Sequence, residues 1–238
     1  MFLYWAALSC PGMLRTLLCL LVLGSARVVA GGEVYDRFPD VIDAAGCYVI
    51  YAHGLIVEGD DPRPVSPEFG VYDFPAVVRA LAAGGGFQLI AHHRPKNTVP
   101  EAYAETLDGW VRRLLAARVA PGRITLVGFS RGGQITALAS SRLASAGINT
   151  AILAACSKGD LVQVPPIVLG GHLLSIYETT DVVGSCATLA ARSHLASFEE
   201  VAITTGKKHG AFFQPLPEWV ALCGPGSTRP IADRGEPP

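Results

Sequence analysis

Charge is the first scarcity in this chain of 238 residues. Only 16% are Asp, Glu, Lys or Arg, and 19 basic residues almost cancel 20 acidic ones, leaving a net charge of −1. With a pI near 6.6 there is no basic footprint of the kind that nucleic-acid binding needs, so no nucleic-acid partner is expected. Low charge with 50% hydrophobic residues also excludes intrinsic disorder, because disordered chains are apolar-poor and charge-rich. The cysteines and histidines are scattered without metal-ligand spacing, which argues against a metal site. A Gly-x-x-x-x-Gly-Lys-Ser/Thr phosphate loop is absent. Gly84-Gly85-Gly86 follows a helical pattern and reads as a helix stop. No cofactor is expected.

Acidic residues are missing altogether from residues 1–30, whose only charges are Arg15 and Arg27. Leu17–Leu23 is apolar throughout, and small residues follow in Gly24-Ser25-Ala26 and Val28-Val29-Ala30. A short basic region, a short apolar run and a small-x-Ala site are the parts of a secretory signal, whose tidiest start is Met13. The run falls short of the roughly 20 apolar residues that span a bilayer. A secreted or periplasmic protein, with no stable membrane span once the signal is removed, is therefore expected. Part of the high mean hydropathy, +0.36, belongs to this segment. Without it 208 residues remain, with a net charge of −3 and with Cys47, Cys156, Cys186 and Cys223. In an exported protein four cysteines predict one or two disulfides, the alternative being buried free thiols.

From residue 47 onward two kinds of segment alternate. Val-, Ile- and Leu-rich runs at 47–51, 87–91, 124–129, 150–155, 173–177 and 200–204 read as buried strands. Amphipathic or Ala-rich stretches at 74–83, 101–119, 131–146 and 186–194 read as helices. Pro100 opens the second of these, with Thr98 as its candidate cap, and Gly147 stops the third. Strands apolar on both faces, alternating with helices, predict a mostly parallel sheet covered on both sides, a three-layer α/β sandwich. The acid- and proline-rich stretch 57–72 reads as a long loop. Residues 224–238 have no apolar period and read as a disordered tail, which leaves 31–223 as one domain.

The most informative stretch is Gly128-Phe129-Ser130-Arg131-Gly132-Gly133, which joins the strand at 124–129 directly to a helix. This is Gly-x-Ser-x-Gly at a strand-to-helix turn. Such a turn lifts the serine hydroxyl out of the sheet, small flanking residues avoid clashes, and the helix N-terminus favours developing negative charge. A serine nucleophile needs a base, and the base needs an orienting acid. Two later strands end in loops with suitable residues: Glu178-Thr179-Thr180-Asp181 after one and Lys207-Lys208-His209-Gly210-Ala211 after the other.

With Tyr51-Ala52-His53-Gly54 after an early strand, these motifs make residues 47–220 resemble the serine-nucleophile α/β-hydrolase superfamily, in particular its compact exported members. The resemblance implies the chain order Ser, acid, His, and hence a triad of Ser130, Asp181 and His209, with Glu178 as the fallback acid. It also implies an oxyanion hole from the backbone N–H groups of Leu55 and Arg131. His53, Gly54, His92 and Phe129 are then candidates for the pocket wall. Too few residues separate Ala155 from His172 for the inserted lid of many relatives, so an open site without a cap domain is expected. Pro215 and Pro217 interrupt the segment after His209, so the closing helix of such enzymes is expected to be short. Cys156 ends one strand and Cys186 lies just past the acid loop of the next, which predicts a Cys156–Cys186 disulfide. The implied activity is hydrolysis of an ester, thioester or amide by a monomer acting on a small acyl substrate. The alternatives are acyl transfer on the same triad, or a catalytically silent binding protein.

Overall fold

The computed structural model describes residues 32–156 and 166–224. The expected signal peptide (1–30) and, beyond Gly224, the expected tail (224–238) lie outside the described residues. In chain order the elements are β1 (Glu33–Tyr35), β2 (Tyr48–Ala52), β3 (Val65–Ser66), β4 (Gly70–Val71), α1 (Phe74–Ala83), β5 (Gln88–Ile90) and α2 (Pro100–Ala116). Then come β6 (Ile124–Phe129), α3 (Arg131–Arg142), β7 (Asn149–Leu153), β8 (Gly170–Glu178), α4 (Ala187–Ala191), β9 (His194–Ile203) and α5 (Pro217–Val220).

Seven strands form one sheet in the order β1-β5-β2-β6-β7-β8-β9, and every neighbouring pair is parallel. Parallel strands need helical crossovers, which cover both faces of the sheet. Alternate residues of one strand consequently enter different cores. On β2, Val49 and Tyr51 pack with Val77 and Leu81 of α1, while Tyr48 and Ile50 pack with Leu107 and Val111 of α2. On β6, Val127 and Phe129 join the first core, and Ile124 and Leu126 join the second, with Ile135 of α3. Burying each such side chain contributes about 1.5–3 kcal/mol. The three-layer α/β architecture is the expected one.

Local expectations needed correction where burial is one-sided or the segment short. The edge strand β9 begins at His194, inside the helix expected to 194, and α4 keeps only five residues. β9 alternates exposed and partly buried positions, so it lacks the continuous apolar run of a central strand. β1 is a second edge strand of three residues, too short to stand out. Within 57–72, β3 and β4 pair as a small antiparallel ribbon. Thr98 does not cap α2: its hydroxyl donates to the Pro95 carbonyl, and Val99 occupies the cap position. Residues 154–169 join β7 to β8, a connection too short for a cap domain.

Candidate active site

Ser130 stands between β6 and α3 at φ 52° and ψ −118°, a backbone conformation that costs of order 1–3 kcal/mol and persists only where surroundings enforce it. Two glycines allow the enforcement. A Cβ on Gly132 would lie 1.9 Å from the Ala52 carbonyl oxygen, and one on Gly128 would lie 2.3 Å from that of Gly132. The turn therefore packs against the end of β2 with no room for any side chain at these positions. The Ser130 N–H donates to the Leu153 carbonyl at 2.9 Å, tying the turn to β7.

The hydroxyl of Ser130 meets His209, whose Nε2 is 2.9 Å from Oγ. On the other side of the ring, Nδ1 is 2.7 Å from Asp181 Oδ2. Oδ2 can only accept, so the neutral ring carries its proton on Nδ1 and leaves Nε2 free to accept from Oγ. The Asp181 side chain is 3% exposed and that of His209 17%, so the carboxylate is sheltered while the imidazole stays partly open. The aromatic ring of Phe129 lies 4.8 Å from that of His209 and the ring of Phe69 lies 6.0 Å away, and together they fix the imidazole plane. Phe69 comes from the β3–β4 ribbon, which gives the expected loop a structural part in the site.

Glu178, the fallback acid, faces elsewhere. It is fully buried at the end of β8, where Oε2 accepts from the Thr180 N–H and hydroxyl, each at 2.6 Å. Oε1 accepts from the N–H groups of Thr205 and Gly206, each at 2.9 Å. Burial pushes its pKa up, but these hydrogen bonds outweigh that and lower it from 4.5 to about 2. The carboxylate thus ties the Asp181 turn to the loop that carries His209. The far end of the acid loop is held by the Cys156–Cys186 disulfide, with Cα atoms 5.1 Å apart, and by Glu200, which accepts from the Cys186 N–H at 2.7 Å. Cys47 and Cys223 are free thiols.

A cavity of about 190 Å³ opens at Ser130, lined by Leu55, Arg131, Gln134, Ala154, Ala155 and Val183 besides the serine itself. Both expected oxyanion donors thus border it. The pocket-wall expectations need correction. His53 and Phe129 are fully buried and Gly54 lies between them and Tyr72, so they form the layer beneath the site rather than its wall. His53 Nε2 accepts from the Arg94 N–H at 2.9 Å, which leaves the Nδ1 proton for the Gly54 carbonyl at 2.8 Å. Burial, and then the Arg94 charge, hold its pKa well below the usual histidine range. His53 is therefore a neutral brace of the turn that presents Leu55. His92 turns to α2, where Nδ1 is 2.9 Å from the Tyr103 hydroxyl and the ring borders a separate groove with Trp110.

Two residues of the site escaped the sequence reading. One is Glu178 in its bracing role. The other is Arg94, which is fully buried, donates to the His53 carbonyl and pairs with buried Glu58 at 3.4 Å. Its signal was a lone charge directly after an apolar strand, in His92-His93-Arg94-Pro95. Among the described residues no group of three or more His, Cys, Asp or Glu is arranged to hold a metal ion, and no helix is long and apolar enough to cross a membrane.

No protein-family model matches the chain, and no curated protein matches it. Solved structures do. Mouse α/β hydrolase domain-containing protein 10 is 12% identical, with a TM-score of 0.49 over 74% of this chain and 85% of its own. The RedJ thioesterase of the prodiginine biosynthetic pathway in Streptomyces coelicolor is 12% identical, with a TM-score of 0.47 over 79% of this chain and 92% of its own. A hormone-sensitive lipase from a metagenome library is 17% identical, with a TM-score of 0.47 over 71% and 74%. The parallel sheet carries helices on both faces, and the strand-to-helix turn at Ser130 stands at the carboxyl end of β6.

Proposed function

We propose that the chain is a serine hydrolase that cleaves an ester, thioester or amide through an acyl-enzyme. One observation carries this reading: a continuous hydrogen-bond chain from Ser130 Oγ through His209 to buried Asp181, beginning on a strained elbow beside a cavity. In this mechanism Ser130 Oγ attacks the carbonyl carbon while its proton passes to His209 Nε2. Asp181 holds the ring by Nδ1 and stabilises the imidazolium that forms. The negative charge on the former carbonyl oxygen is met by the N–H groups of Leu55 and Arg131, the first of these on a turn braced by His53 and Arg94. Collapse of the tetrahedral intermediate expels the leaving group, which takes the proton from His209. Water, activated by the same base, then releases the acid and restores Ser130.

Export to a secreted or periplasmic location belongs to the same proposal, supported by the disulfide that holds the acid loop, since such bonds persist in oxidising compartments. A monomer acting on a small acyl substrate is the working form. The test is labelling of the folded protein by a fluorophosphonate, which is expected at Ser130 and absent in Ser130→Ala. Unlabelled folded protein, or a Ser130→Ala variant that keeps wild-type esterase activity, refutes the assignment.

A further inference from the structure

The cavity beside Ser130 is asymmetric. Its lining holds both expected oxyanion donors, Leu55 and Arg131, but neither His209 nor Asp181. In acyl transfer the leaving group must collect a proton from the base. It therefore departs past His209, and the acyl part, which stays on the serine, has the cavity to itself.

What the cavity offers an acyl group is unusual for a purely aliphatic one. Leu55, Ala154, Ala155 and Val183 are small or medium apolar residues. Against them stand Arg131 and Gln134, three residues apart on α3 and hence on one face of the helix. Both are half-buried. Arg131 takes no part in the ion pairs among the described residues, and no carboxylate lines the cavity with it. The positive end of α3 opens at the same spot. An aliphatic acyl chain lying here would desolvate this guanidinium without repaying it. A carboxylate would pair with it through charge-assisted hydrogen bonds, and the Gln134 amide stands ready as a further donor. The volume of about 190 Å³ lies below the roughly 300–1,000 Å³ of pockets for drug-sized ligands, which limits the chain to a short one.

Resting on the serine-hydrolase reading, we propose that the substrate is a monoester or monothioester of a short dicarboxylic acid, its free carboxylate held by Arg131 and Gln134. Arg131 thereby serves twice: its backbone N–H meets the oxyanion and its side chain selects the acyl group.

The experiment compares monoethyl glutarate with ethyl valerate, chains of equal length that end in a carboxylate and a methyl group. The wild-type protein is expected to favour glutarate by roughly tenfold or more in kcat/KM. Arg131→Gln is expected to bring the ratio close to one, Arg131→Glu to invert it, and Gln134→Leu to lower it by a smaller factor. A wild-type preference for valerate, or a ratio unmoved by Arg131→Gln and Gln134→Leu, overturns the substrate class. So does cleavage of neither ester by protein that a fluorophosphonate labels at Ser130; in these cases the hydrolase reading stands. Cleavage of neither ester by folded protein that cannot be labelled removes the hydrolase reading and this proposal together.

Discussion

Replacing Glu178 by Gln tests whether the buried carboxylate binds the acid and base loops into one unit. The change keeps shape and burial but exchanges one acceptor oxygen for an NH2 group. Whichever way the amide is turned, that NH2 faces backbone donors: the Thr180 N–H on one side, the Thr205 and Gly206 N–H groups on the other. A threonine hydroxyl can rotate to accept, but a backbone N–H cannot. Hydrogen bonds to a charged acceptor are each worth about 1.5–3 kcal/mol, so losing one or two predicts a loss of about 1.5–6 kcal/mol at pH 7. The wild-type protein supplies an independent measure. A folded pKa of about 2 against 4.5 converts to about 3 kcal/mol at 1.36 kcal/mol per pH unit. The folded pKa is depressed, so this stability is fully present above pH 4.5 and is lost as pH falls from 4.5 towards 2. Urea unfolding of both proteins at a series of pH values is the assay. The gap between them should be constant near neutrality and narrow below pH 4.5. With Asp181 and His209 no longer held in common, kcat at pH 7 should fall by about 10- to 100-fold, with KM changed far less. Equal stability at pH 7, or a gap that stays constant down to pH 2, would refute the bracing role.

Asp181→Asn should lower kcat by about 10³- to 10⁴-fold while the fold is retained, because an amide disturbs the tautomer that the carboxylate imposes on His209; steady-state ester hydrolysis with circular dichroism checks both halves. Breaking the Cys156–Cys186 bond, which spans 30 residues, by replacing both cysteines with serine should cost about 3.5 kcal/mol in denaturant unfolding, and a dithiol reductant should affect the wild-type protein alone. Arg94→Ala leaves Glu58 as a buried unpaired charge and should cost about 3–5 kcal/mol, and Arg94→Ala with Glu58→Gln should recover part of it. No recovery in that double variant would show that packing against Tyr103, not charge, is what Arg94 contributes.

The fold was legible because its signal is local. Apolar runs such as Ile124–Phe129 need burial on both faces, and the helices between them supply it. Ser130, Asp181 and His209 were legible for a related reason: each follows a recognisable strand, and loops after parallel strands gather at one sheet edge. Residues 194–199 of the edge strand β9 and the ribbon β3–β4 were not, because half-exposed pairing leaves little apolar pattern behind.

By itself the sequence determined a parallel, doubly covered sheet, a sharp strand-to-helix turn at Ser130 and the pair of later loops that carry an acid and a histidine. The sequence favoured Asp181 and kept Glu178 as the fallback acid, and the tertiary structure set what each of them meets. Asp181 and Glu178 are three residues apart and chemically alike, yet one points to His209 and the other into five donors of two loops. It also moved His53 from the wall to the layer below, where burial, and then the charge of Arg94 41 residues further along the chain, hold it neutral. A side chain's role depends on the donors, charges and burial around it, and those come from parts of the chain that a linear reading does not bring together.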